Sequence, residues 1–149
     1  MKATRTWVLI ADGARARILE NLGPGRGLTS VEGMVFHGDH SATHDLVTDR
    51  QGRSFSSQGP GRSAIEVHTD PHRNLKTKFA SRLAEALTIG LDQHAYDRLV
   101  IVAAPVTLGD LRAAIPDRVR SKIVGEVAQD LTKTPNGEVA THLEHVLRT

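Results

Sequence analysis

The chain has 149 residues, a formal charge of +2 and 39% hydrophobic residues, enough for one domain with a single core. It contains no cysteine, which excludes disulfides and thiolate chemistry and points to a reducing cytoplasm. One tryptophan, one tyrosine and three phenylalanines leave no aromatic platform for stacking single-stranded bases.

From the N-terminus, Trp7-Val8-Leu9-Ile10-Ala11 is an apolar run suited to a buried strand. With Asp12, Arg15 and Arg17 close behind, the run is too short for a secretory signal or a membrane span, so no membrane partner is expected. Asp12-Gly13 predicts a two-residue hairpin turn in which glycine takes up a positive φ. From Ala14 to Leu19, small or apolar residues alternate with Arg15 and Arg17, the pattern of a half-exposed strand. Gly23-Pro24-Gly25 breaks the chain before a third strand, about Leu28 to Phe36, which completes an antiparallel meander.

A polar segment, 37–70, follows. It holds four of the eight histidines and four of the thirteen glycines. Connections longer than ~12–15 residues are uncommon in compact domains unless they are functional or disordered, so activity is expected here. The period then changes. Leu75, Phe79, Leu83, Leu87 and Leu91 recur every fourth residue, predicting an amphipathic helix over about Pro71–Gln93, with Asp70 as cap and Pro71 at its first position. Leu99 to Ala104 reads as a strand covered on both faces, ended by Pro105. Leu108–Ile115 suggests a short helix, Pro116–Arg120 a further turn, Ile123–Val127 a strand, and Thr134-Pro135 the start of a last helix. The expected order is βββ-α-β-α-β-α, one α/β domain over 1–149 with helices packed on a mixed sheet.

That order is shared by ribonuclease-H-like domains, including the central domain of archaeal and eukaryotic peptide-chain release factors. The words VLIADGARARIL, DRQGRSF, GPGR, TDPHRNLKTKFASRLAEAL, LVIVAAPVTLGDLRAAI and VGEVAQDLT resemble more narrowly the bacterial host-attachment proteins, a family also classed as relatives of those release factors. The resemblance covers Thr6 to about Leu147. It implies a ribosome-associated role, with the segment before the long helix entering the peptidyl-transferase centre. In release factors that segment carries Gly-Gly-Gln. Here the nearest word is Ser57-Gln58-Gly59, followed by Pro60-Gly61, and no paired glycines precede Gln58. This departure argues against peptidyl-tRNA hydrolysis, since paired glycines let the backbone approach RNA closely. The attachment label implies a second class of role, a regulatory or protein-interaction module acting indirectly on adhesion.

Three side-chain sets carry the chemistry. Arg50, Arg53 and Arg62, spaced by Gly52, Gly59 and Gly61, suit bidentate phosphate contact, and Arg73 and Lys76 extend the basic stretch into the helix. Pairing with Asp49, Glu66 or Asp70 is the structural alternative. His37, Asp39, His40, His44 and Asp45 offer metal donors without a rigid ligand spacing, so solvated histidines are the simpler reading and no cofactor is expected. Asp12 occupies the position at which ribonuclease-H-like nucleases place a metal-binding aspartate, with Asp110 and Asp130 as further carboxylates; a metal-dependent nuclease is the third alternative. Against it stand an Asp-Gly turn residue and a carboxylate favouring the positive end of a short helix. The reading reached is a cytoplasmic protein that binds the ribosome or a structured RNA through the 37–70 segment, with Gln58 placing water if hydrolysis occurs.

Overall fold

The computed structural model describes residues 4–38 and 71–147. Five strands, β1 (Thr6–Ala11), β2 (Arg15–Asn21), β3 (Thr29–His37), β4 (Arg98–Ala103) and β5 (Ile123–Val127), form one mixed sheet in the order β3-β2-β1-β4-β5. β1 runs antiparallel to β2 and parallel to β4, and β5 runs parallel to β4. The helices are α1 (Pro71–Asp92), α2 (Pro105–Ala114), the single turn α3 (Asp117–Arg120) and α4 (Asn136–His142).

β1 and β4 lie at the centre, and this is why both read as unbroken apolar runs. Alternate residues face opposite sides of a strand, so each of these strands serves two cores. Trp7, Leu9, Leu99 and Ile101 pack with Phe79, Leu83 and Leu87 of α1 and with Leu108 and Leu111 of α2. Val8, Ile10, Val100 and Val102 pack on the other side with Leu131, Val139, Leu143 and Leu147. The result is three layers, with α1–α3 on one face and α4 on the other.

The fourfold leucine period of α1 buries Phe79, Leu83 and Leu87, and Gly90 completes this stripe. Gly90 is there for space. A Cβ at this position would lie 2.7 and 2.8 Å from two ring carbons of Trp7. Trp7 in turn stacks on Tyr96, with centroids 4.7 Å apart, and Tyr96 donates its hydroxyl to the Leu87 carbonyl at 2.6 Å. Burial, with the Asp92 charge adding to it, pushes the Tyr96 phenol up to about 12.

Several local expectations shift. β2 is half-exposed only at its start: Ala16 and Ile18 are buried and Arg15 is exposed, but the chain from Asp130 to Asn136 partly covers Arg17, and Leu19 is buried. Gly13 does not adopt a positive φ. The turn is held instead by Asp12, and a side chain at Gly13 would meet the Lys76 stem at 2.9 Å. The positive φ in the meander belongs to Gly23, Gly25, Gly27 and Gly33. Gly33 lies where the β2–β3 register slips, between the pairs Arg17↔Val35 and Leu19↔Ser30. Helix α2 starts at Pro105 rather than Leu108, which places Asp110 in its middle and removes the favourable helix-end position assigned to it.

Candidate functional site

The candidate site is built around the β1–β2 turn. Asp12 leaves the end of β1 and bends back on its own chain: Oδ1 accepts the Ala14 N–H at 2.8 Å and the Arg15 N–H at 2.7 Å. Oδ2 accepts the Arg15 guanidinium at 3.2 Å and contacts the Thr132 hydroxyl at 3.3 Å. That hydroxyl also donates to Asp130 at 2.5 Å. Burial pushes the Asp12 carboxyl up, but the backbone donors of Ala14 and Arg15 and the Arg15 guanidinium outweigh it, so its pKa falls below the ordinary value.

A carboxylate with a depressed folded-state pKa stabilises the fold above its unfolded value and loses that contribution as pH falls through the folded pKa. Asp12→Ala is therefore expected to cost about 1–2 kcal/mol at neutral pH, the usual scale of a lost side-chain cap. The gap between wild type and variant should close in urea titrations taken below about pH 4. A gap independent of pH would mean that the carboxylate charge is not what holds the turn.

Gly38, where the chain leaves β3, and helix α1, which begins at Pro71, both reach this turn. After β3, the Gly38 N–H donates to the Ala14 carbonyl at 2.5 Å. A Cβ at Gly38 would stand 3.1 Å from the Ala14 Cα. On the other side, α1 lays the Lys76 stem over Gly13, and Arg82 donates to the His37 carbonyl at 3.0 Å while lying over the Phe79 ring. Arg73, from the first turn of α1, pairs with Asp110 of α2. This fixes the start of α1 against α2 and commits part of the Arg73 charge.

Of the candidate residues, Arg50, Arg53, Gln58, Gly59, Gly61, Arg62, His40 and His44 lie outside the described residues, as do Asp39 and Asp45. His37, Arg73 and Lys76 are described and are gathered near one end of the sheet. The three aspartates separate: Asp12 and Asp130 meet on Thr132, whereas Asp110 is held by Arg73. Among the described residues no group of three histidines or carboxylates converges as a metal site.

Arg17 escaped the sequence reading. Its Nε donates to the Asn136 side chain at 3.2 Å, and its two terminal nitrogens donate to the carbonyls of Thr132 and Thr134 at 2.8 and 2.5 Å. The arginine thus ties β2 to the chain entering α4, and burial lowers its pKa. Beside it, Ile10, Arg15, Ala16, Arg17, Val35, Phe36, His37 and Thr132 line an open cleft of about 130 Å³. Alternation alone had marked Arg17 as exposed; its acceptors lie 115 to 119 residues away in sequence, beyond any local pattern.

Among the described residues the architecture is mixed α/β, with one five-stranded mixed sheet and helices on both of its faces. Among the described residues no helix is long and apolar enough to cross a membrane. The chain belongs to the family described as "protein required for attachment to host cells", whose model matches residues 7–143. No curated protein matches the chain.

Proposed function

We propose that this member of the host-attachment family binds RNA, on the ribosome or as a free structured RNA, through the 37–70 segment and the basic entry of α1. Its part in attachment to host cells then follows indirectly from that binding. One observation supports the reading: Gly38, where the chain leaves β3, bonds Ala14, while Lys76 and Arg82 of α1 lie beside Gly13 and His37. Cations thus gather near the Asp12–Arg15 turn, and between Gly38 and α1 the sequence carries Arg50, Arg53 and Arg62. Clustered cations at one end of a domain are the electrostatic footprint of phosphate recognition. The exposed ammonium of Lys76 and the guanidiniums of the segment would neutralise phosphates, and Gly59 and Gly61 would allow close backbone approach. The ribonuclease-H-like and release-factor-like assignment belongs to the same reading, supported by the three-strand meander, the long helix and the parallel strands β4 and β5 that follow. In that framework Gln58 would orient water.

The test is sucrose-gradient sedimentation of tagged protein from lysate at low and moderate salt, beside Arg53→Ala/Arg62→Ala and Lys76→Ala variants. Wild type is expected to travel with ribosomal particles or RNA. The double variant should lose most of this fraction, and Lys76→Ala should lose part of it. Protein that stays at the top of the gradient at both salts overturns the proposal.

A further inference from the structure

The cleft beside β2 and β3 lies on the sheet face opposite α1. Arg15 is the register partner of His37, and Arg17 that of Val35, so the four side chains stand in two adjacent rows on one face, with Ile10 extending the second row. The side wall is the chain at Thr132. Val35 is 60% exposed although it is a large branched residue in a regular strand.

Arg15 and Arg17 are two positive charges on one face of β2, and like charges so placed repel. Their nearest compensation is partial. Arg15 makes a single guanidinium contact to Asp12, at 3.2 Å, and its side chain is 48% exposed. The Arg17 nitrogens face carbonyl and amide oxygens, which accept hydrogen bonds but carry no charge. The cleft therefore sets one exposed apolar side chain, Val35, beside the Arg15 guanidinium and the His37 ring. Its volume, about 130 Å³, suits one small ring and falls well short of a drug-sized ligand.

We propose that this cleft takes a phosphate ester of one small ring, the ribose phosphate part of a nucleotide, with the ring on Val35 and the phosphate against Arg15 and His37. An arginine fork matches phosphate oxygens bidentately, and the fixed Arg17 holds positive charge beneath the site without having to move. The same chemistry has two sources, a free mononucleotide or an unpaired nucleotide of an RNA. The second deepens the RNA reading and rests on it; the first stands without it.

The experiment is a titration of the full chain, followed by amide and side-chain NMR, with AMP, adenosine, inorganic phosphate and a short single-stranded oligoribonucleotide as separate probes. AMP is expected to give saturable shifts at Val35, His37 and Thr132. Arg15→Ala should weaken AMP at least tenfold, and Val35→Glu should abolish it, with unchanged amide shifts at Leu83 and Leu87 reporting an intact core. Adenosine or inorganic phosphate binding as tightly as AMP would overturn the proposal, because the site would then use only half of its lining. So would the absence of any saturable shift with AMP, or affinity undiminished in Arg15→Ala. Tighter binding of the oligoribonucleotide at the same residues assigns the site to RNA, and AMP alone assigns it to a free nucleotide. Loss of ribosome sedimentation in Arg53→Ala/Arg62→Ala leaves this result untouched, so the two proposals fail separately.

Discussion

Arg17→Ala is expected to destabilise the fold by about 3 kcal/mol in urea titrations, the scale of losing several hydrogen bonds from one charged donor. The guanidinium satisfies the carbonyls of Thr132 and Thr134 and the side chain of Asn136 at once. Truncation strips all three acceptors of their donor and leaves a gap beneath the chain that leads into α4. The damage should be local before it is global. Amide exchange at Glu138 and Val139, whose N–H groups bond the Pro135 carbonyl, is expected to accelerate well before exchange in β1 or β4. Arg17→Lys keeps the charge but has only a point donor, and should fall between the two. A loss under about 0.5 kcal/mol for Arg17→Ala would show that apolar packing of Val139 and Leu143 fixes α4 without help.

Gly90→Val should be comparably damaging. The added Cβ would overlap the Trp7 ring at 2.7 and 2.8 Å and crowd Tyr96 at 3.3 Å. Neither ring can retreat easily, since Trp7 is 2% exposed, stacked on Tyr96, and Tyr96 is tethered through its hydroxyl to Leu87. Overpacking of a tight core costs about 1–3 kcal/mol, and a branched side chain within a helix adds to it. For a domain near this size, about 3 kcal/mol corresponds to a fall of roughly 6–12 °C in Tm. Thermal melts monitored by near-UV circular dichroism would show both the lower Tm and a weakened signal from the Trp7–Tyr96 pair. Gly90→Ala separates the causes, because alanine regains about 1 kcal/mol of helix propensity while still clashing. A more stable Gly90→Ala protein would mean that the Trp7 ring yields readily.

Periodicity made the core legible. Period-2 and unbroken apolar runs located β1, β4 and β5, and the fourfold spacing of Leu75 to Leu91 located α1, because burial against a sheet imposes those spacings. What failed were features set by partners distant in sequence. Pro105 ends β4 and also opens α2, so the helix begins three residues before its first buried large apolar side chain, Leu108. Arg17 looks like any exposed strand arginine until α4 is laid across it. Asp12-Gly13 carries a familiar turn signal, yet the aspartate side chain supplies the turn's hydrogen bonds, and the glycine makes room for Lys76. At the functional end, residue types pointed to phosphate chemistry, while the cross-strand rows that set Arg15 beside His37 became visible only from the β2–β3 register.

The anchoring of Gly38 and of α1 on the same turn has an evolutionary consequence. Gly38 and the Lys76 stem meet at one turn, so the chain leaving β3 and the start of α1 sit at the same end of the sheet. Loop closure becomes only about 0.6 kcal/mol costlier for each doubling of length. On the RNA reading proposed above, exchanging the interval 39–70 would change specificity while leaving the described framework in place. A chimaera carrying another family member's interval between Gly38 and Pro71 would inherit the donor's binding preference on this chain's scaffold.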